Sequence, residues 1–285
     1  MSKNIFFIIV SFMFSSAFAQ EQLTLYPNEV LNSKDGVSLG DNSPEFYFYK
    51  PESQKSNKVF LIIPGGGYGR VAINHEGHDV ANRLKDMGYA SFVLKYRLPV
   101  DSQMIDKKLG PIQDAQTAMV YIHDNHNRLN IDMGKIVVLG FSAGGHLAST
   151  VATHFDTSYI GDIDIKKLKP DYSVLVYPVI TMQEGITHLG SKKNLIGPDF
   201  LEQDVVRFSN ERNVNKDTPP TYLIHSDDDK VVPIENALMY KRALDKYAVQ
   251  NKFYRYAKGV HGFGMYNKDE EGDWFVDMLE WVNYN

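Results

Sequence analysis

Near-continuous apolar runs separated by helical segments constrain the fold of this chain more than any other feature. Runs such as KVFLIIP (58–64) and KIVVLGF (135–141) lack the polar–apolar alternation of a half-exposed strand. They are typical of strands buried on both faces of a parallel sheet. The alternation of such runs with helical segments predicts an α/β fold: a doubly wound, mostly parallel central sheet with helices on both faces.

The predicted elements follow one another along most of the chain. The predicted strands cover residues 45–50, 58–64, 90–96, 135–141, 172–180, 220–226 and 251–257. The predicted helices cover residues 75–89, 110–129, 143–155, 234–248 and 272–283. A charged segment, 181–217, breaks the alternation, and we expect it to form a short lid-like insertion over the site.

The length and composition narrow the function classes. A chain of 285 residues that is 43% hydrophobic can bury a large core, and we expect residues 20–285 to form a single domain. The formal net charge is −5 and no basic stripe is present, which argues against nucleic acid as a partner. The absence of cysteine from the sequence excludes a cysteine nucleophile and a thiolate metal site. The oligomeric state is left open.

The N-terminus has the layout of a secretory signal peptide. Lys3 precedes an apolar run that ends in the small-x-small sequence Ala17-Phe18-Ala19. We therefore predict a signal peptide over residues 1–19, cleavage before Gln20, and export to the periplasm or the medium. The alternative is an uncleaved anchor, but the run is short for a transmembrane helix, and no membrane span is expected after cleavage.

A serine between glycines stands at one predicted strand-to-helix junction. The sequence Gly140-Phe141-Ser142-Ala143-Gly144 directly follows a buried strand and directly precedes a helix. G-x-S-x-G in this setting is a nucleophile elbow, a strained turn that exposes the serine hydroxyl at the sheet edge. The alternative, an incidental Gly/Ser turn, does not explain the strand and helix on either side.

A serine nucleophile needs a base and an acid that orients the base. In this architecture the chain order is serine, acid, histidine. His261, between glycines after the last predicted strand, is the predicted base, and Asp229 is the predicted acid, with Asp228 as the alternative. Three adjacent aspartates could suggest a cation site, but consecutive side chains point in different directions, so we expect neither a metal nor a cofactor. The remaining histidines are interpreted as packing or surface residues: His75, His78, His123, His126, His146, His154, His188 and His225.

A glycine run follows the strand 58–64 and is the predicted cradle for a developing oxyanion. In folds with a nucleophile elbow, a glycine-rich loop at this place supplies backbone N–H groups. The predicted donors are the N–H groups of Gly66, Gly67 and Ala143, and Tyr68 is expected to line the substrate site. A dinucleotide-binding loop is the alternative, but it would read G-x-G-x-x-G at the start of a helix.

Together these stretches resemble the α/β-hydrolase family over about residues 45–284. The stretches PGGGYGRVAINHEG, GFSAGGHLAS and TPPTYLIHSDDDKVVP are similar to those of secreted bacterial carbohydrate esterases of the acetylxylan and feruloyl esterase group. Pro64 stands where the common pattern has a histidine before the glycines. The resemblance implies an esterase that acts on acetyl or feruloyl groups of plant or algal polysaccharide such as xylan. The alternatives are a serine peptidase related to prolyl oligopeptidases and a non-catalytic binding protein on a hydrolase scaffold.

Overall fold

One eight-stranded sheet forms the centre of the protein. The computed structural model describes residues 20–285, and the predicted signal peptide lies outside the described residues. The strands are β1 Gln20–Leu23, β2 Glu45–Tyr49, β3 Lys58–Ile63, β4 Ser91–Lys95, β5 Lys135–Phe141, β6 Tyr172–Val176, β7 Thr221–Ser226 and β8 Asn251–Tyr256. Their order across the sheet is β1-β2-β4-β3-β5-β6-β7-β8. β1 and β2 run antiparallel to their neighbours, whereas the six strands from β4 to β8 are parallel to one another.

Seven α-helices accompany this sheet in the described part of the chain. They are α1 Asp79–Asp86, α2 Gly110–Asn125, α3 Ser142–Thr153, α4 Leu189–Ile196, α5 Glu202–Phe208, α6 Glu235–Lys246 and α7 Trp274–Tyr284. None of the helices within residues 20–285 has the length and apolar character required to cross a bilayer.

The two faces of the sheet build two separate hydrophobic cores. Successive side chains of a strand point to opposite faces, so Leu61 of β3 enters one core and Phe60 enters the other. Helices α2, α3 and α6 pack on the first face, and α1 and α7 pack on the second. The prediction of a doubly wound, mostly parallel sheet with helices on both faces is confirmed.

Three predicted elements differ from those observed, for local reasons. The predicted strand 172–180 ends at Val176 because Tyr177 turns the chain with a φ of 35°. The predicted helix 75–89 begins as one π-helical turn, Asn74–His78, before α1. β1 was not predicted, since its first three residues are exposed at the sheet edge and carry no apolar pattern.

Candidate active site

Ser142 stands at the junction between β5 and α3 in a strained conformation. Its φ of 50° lies in the left-handed region, which a residue with a Cβ rarely adopts. The turn is possible only because small residues surround it. A Cβ on Gly144 would overlap the backbone carbonyls of Ile63 and Pro64, and a Cβ on Gly65 would lie 2.9 Å from the Cβ of Ser142. The elbow predicted from the sequence is thus a site where two backbone segments, 63–65 and 142–144, come into close contact.

The hydroxyl of Ser142 faces an imidazole from a later loop, and the imidazole in turn contacts a carboxylate from another loop. The Nε2 atom of His261 lies 2.9 Å from Ser142 Oγ, and its Nδ1–H donates to Asp229 Oδ2 at 2.6 Å. The structure thus brings together three side chains that are separated by up to 119 residues in the sequence. This geometry lets His261 accept the serine proton while Asp229 holds the ring in one tautomer.

Asp229 is buried and accepts hydrogen bonds on both carboxylate oxygens. Backbone N–H groups of Val231 and Val232 donate to Oδ1, each at 2.9 Å. Burial opposes ionisation, but hydrogen bonds from His225 and His261 hold the pKa of the Asp229 carboxyl well below its usual range. Asp229 is therefore an anion at neutral pH, as a group that orients an imidazole must be.

The two aspartates before Asp229 point elsewhere. Asp227 pairs with Arg255 on the surface, and Asp228 accepts a hydrogen bond from the Val260 N–H at 2.8 Å. Asp229, and not the alternative Asp228, is thus the carboxylate in contact with His261. Within residues 20–285 no cluster of three or more His, Asp or Glu side chains is arranged to hold a metal ion.

The glycine loop after β3 lies directly against the serine turn. None of the hydrogen bonds among residues 20–285 uses the backbone N–H of Gly66, Gly67 or Ala143, whereas the Gly65 N–H is engaged by Glu76. Gly66 and Gly67 both have positive φ, 124° and 66°. These three N–H groups therefore remain available to an oxygen atom bound next to Ser142.

Tyr68 does not join this group, which corrects the expectation that it lines the substrate site. With a φ of 58°, the residue turns its ring into the core, where it is only 2% exposed. Its hydroxyl donates to His146 Nδ1 at 2.8 Å. The Tyr68 side chain thus anchors the glycine loop to α3 through His146.

A buried carboxylate that was not predicted connects the glycine loop to the loop of His261. Glu76 is 4% exposed; its Oε2 accepts the Gly65 N–H at 2.8 Å and its Oε1 accepts the Tyr177 hydroxyl proton at 2.7 Å. The Tyr177 oxygen in turn accepts the Gly264 N–H at 3.0 Å, and the Tyr177 ring packs edge-on against His261 with centroids 4.8 Å apart. The only sequence signal is the polar stretch HEGH (75–78), at the start of the predicted helix 75–89.

Two histidines assigned to packing or surface roles also lie at the site. His225 contacts the carboxylate of Asp229, and their spacing of four residues was the available signal. His188, in the predicted lid-like segment 181–217, faces Gly67: its Cε1 is 3.5 Å from the place where a Gly67 Cβ would stand. The segment contains α4 and α5, and Asn194 of α4 donates to the Gly67 carbonyl at 2.8 Å.

The sheet order, the serine turn and the facing loops define an α/β hydrolase. Residues 46–244 match the BD-FAE family, so the chain belongs to that family. The resemblance to carbohydrate esterases of the α/β-hydrolase family is confirmed.

Two bacterial enzymes are among the relatives of this chain. The chain is 31% identical to endo-1,4-beta-xylanase B of Butyrivibrio fibrisolvens, over 81% of this chain and 36% of the relative. It is 30% identical to the acetylxylan esterase of Xylanibacter ruminicola, over 82% of this chain and 45% of the relative. The chain thus spans less than half the length of either protein.

A solved structure covers nearly the whole chain. The acetyl ester-xyloside bifunctional hydrolase from Caldicellulosiruptor lactoaceticus superimposes with a TM-score of 0.76 and is 34% identical. The match covers 93% of each chain. This chain and that hydrolase therefore share the complete fold.

Proposed function

We propose that the protein is a serine esterase that hydrolyses carboxylic esters of carbohydrates, acetyl or feruloyl groups on plant or algal polysaccharide such as xylan. The observation that carries the proposal is the continuous contact from Ser142 Oγ through His261 to Asp229. The names of the relatives, an acetylxylan esterase and an acetyl ester-xyloside hydrolase, favour an acetylated xylan substrate.

The mechanism follows from the positions of these atoms. His261 Nε2 takes the proton of Ser142 as Oγ attacks the ester carbonyl carbon, and Asp229 stabilises the imidazolium that forms. The N–H groups of Gly66, Gly67 and Ala143 hold the oxyanion, and each such donor contributes about 3 kcal/mol to the transition state. The imidazolium then protonates the leaving alcohol. Water, deprotonated by His261, releases the acid from the acyl-enzyme.

The test is the release of acetate from acetylated xylan and of ferulate from feruloylated arabinoxylan, by wild type and by Ser142→Ala. We expect the alanine variant to lose at least 10³-fold in rate while its circular dichroism and unfolding midpoint stay close to those of wild type. A folded Ser142→Ala protein that retains a tenth of the wild-type rate would remove the serine from the mechanism. Equal turnover of an aminoacyl amide would favour a peptidase instead. Absence of turnover and of labelling by a fluorophosphonate would favour a non-catalytic binding protein.

Export to the periplasm or the medium is part of the same proposal, because a polymeric xylan substrate lies outside the cell. Mass spectrometry of the mature protein from its host should find Gln20 as the first residue. A mature protein whose first residue lies within residues 1–19 would contradict the proposed cleavage and export.

A further inference from the structure

The imidazole of His188 has one nitrogen whose role in hydrogen bonding is settled by its neighbours. His188 is the N-cap of α4, and the Ser191 backbone N–H donates to its Nδ1 at 3.2 Å, with the Ser191 hydroxyl 2.8 Å from the same nitrogen. A backbone amide can only donate, so Nδ1 is the acceptor. In the neutral ring the proton is therefore on Nε2.

The other ring nitrogen of His188 has no partner in the described part of the chain. The hydrogen bonds among residues 20–285 that involve the His188 side chain use Nδ1 alone, and Nε2 is not sealed from solvent. Burial and the nearby His261 ring lower the pKa of His188 below its ordinary value of 6.5. At neutral pH the side chain is thus an uncharged ring that offers one N–H.

The His188 ring lies at the edge of the glycine loop after β3, called the oxyanion loop below because it carries the predicted oxyanion donors Gly66 and Gly67. Cε1, which adjoins Nε2 in the ring, is 3.5 Å from the position of a Gly67 Cβ. The hydrogen bond from Asn194 to the Gly67 carbonyl ties α4 to the same loop, so the ring and the loop keep a constant relation to one another. The arrangement places the His188 ring beside the loop that carries two of the predicted oxyanion donors, Gly66 and Gly67.

We propose that His188 is a substrate-binding residue whose Nε2–H donates a hydrogen bond to a hydroxyl or ring oxygen of the carbohydrate alcohol, the leaving group of the ester. This inference rests on the proposed function. An acetyl group has no oxygen beyond its carbonyl, which the N–H groups of Gly66, Gly67 and Ala143 already serve. The carbohydrate leaving group carries further oxygens on either side of the ester. An uncharged donor suits such uncharged acceptors.

Two substitutions distinguish the capping role of Nδ1 from the donor role of Nε2. His188→Asn keeps an oxygen that can accept the Ser191 N–H, since asparagine is a good N-cap, but its side chain is too short to donate from the Nε2 position. His188→Gln brings an amide N–H near the Nε2 position and gives up the cap. The two variants are therefore matched controls for each other.

The measurement is the ratio of kcat/KM for a mono-O-acetylated methyl xylopyranoside, which keeps two free hydroxyls, to kcat/KM for cyclohexyl acetate, an ester with a ring of equal size but no further oxygens. We expect His188→Asn to lower this preference about three- to tenfold, as the loss of one hydrogen bond to an uncharged group does, and His188→Gln to retain most of it. If His188→Asn reduces both substrates equally, or leaves the preference as in wild type, the proposal is wrong.

Binding of unacetylated methyl xylopyranoside, measured by NMR titration, tests the role of His188 independently of turnover. Weaker binding to His188→Asn than to wild type and to His188→Gln supports the proposal, and equal binding by all three proteins overturns it. A wild-type protein that hydrolyses neither these acetates nor a feruloyl ester would refute the proposed function and would leave this binding comparison valid.

Discussion

His225 and Asp229 are in direct contact inside the core, with both side chains fully buried. His225 Nε2 is 3.2 Å from Asp229 Oδ2, the same oxygen that accepts the hydrogen bond from His261 Nδ1–H. The same Nε2–H donates to the Val232 carbonyl at 2.9 Å, which requires the proton to be on Nε2. Asp229 thus receives donors from two imidazoles on Oδ2 and from two backbone N–H groups on Oδ1, and is held in one rotamer.

Replacement of His225 by phenylalanine tests this support. The ring size is kept, but Asp229 loses one donor and the Val232 carbonyl loses its buried partner. We expect kcat to fall about tenfold and the free energy of unfolding to fall by about 1–3 kcal/mol. His225→Gln, which can offer an N–H near the same place, should recover part of both losses. Steady-state kinetics on an aryl acetate and urea unfolding measure them, and a phenylalanine variant with wild-type kcat would show that His225 only fills space.

The network of Glu76 makes a second prediction, on the coupling of the two loops that flank Ser142. Glu76→Met offers no acceptor to the Gly65 N–H or to the Tyr177 hydroxyl, so both loops lose this anchor. We expect kcat to fall about 10- to 100-fold with KM changed less than threefold, because positioning rather than substrate contact is lost.

Tyr177→Phe serves as the control for this prediction. It removes the hydroxyl that joins Glu76 to Gly264 and leaves the bond to Gly65 intact. Its loss in kcat should be smaller than that of Glu76→Met, which removes both contacts. The opposite order of the two variants would mean that the Gly264 side, and not the oxyanion loop, depends on this carboxylate.

The sequence was informative where a function depends on residues that are neighbours in the chain. The buried strands follow from uninterrupted apolar runs, and Ser142 follows from the glycines on either side of it. Asp229 and His261 follow from their places at strand ends, because parallel strands end at one edge of the sheet.

The missed residues act through contacts between distant segments. Glu76 and Tyr177 are 101 residues apart, and neither carries a local motif that indicates the other. The orientation of Tyr68 depends on a backbone φ of 58°, with which the ring is buried in the core. Such facts depend on tertiary packing and have no local pattern.

The oxyanion loop gives a third prediction, a contrast between adjacent glycines. A Cβ on Gly66 would overlap the backbone carbonyl of Arg70, whereas a Cβ on Gly67 would make an ordinary contact with His188. Gly67→Ala should lower the free energy of unfolding by about 1–2 kcal/mol, the cost of a left-handed non-glycine residue. Gly66→Ala should displace the loop and lower kcat at least 100-fold.

Thermal unfolding and kinetics on one ester compare the two variants. Both N–H groups survive the substitutions, so the difference reports on loop position alone. A Gly66→Ala protein with higher kcat than Gly67→Ala would contradict the placement of this loop.

The buried ring of His146 predicts how stability depends on pH. Nε2–H donates to the Phe208 carbonyl and Nδ1 accepts from Tyr68, each at 2.8 Å, so the folded ring is neutral. Burial lowers the pKa of His146 from 6.5 to about 4. Between these values the unfolded chain binds a proton that the folded protein does not. The contribution of His146 to the free energy of unfolding is therefore fully present above pH 6.5. It falls as the pH drops towards 4, at up to about 1.4 kcal/mol per pH unit.

His146→Gln isolates this contribution. Glutamine can donate to the Phe208 carbonyl but does not titrate, and all other acidic and basic groups remain in both proteins. We expect the variant to be less stable at pH 7 and its free energy of unfolding to decline less steeply between pH 6.5 and 4.5. Urea unfolding at pH 7.0, 5.5 and 4.5 measures both slopes. Parallel slopes would mean that His146 is already protonated in the folded state or is neutral in both states, and the hydrogen bonds to Tyr68 and Phe208 would then have to be reassigned.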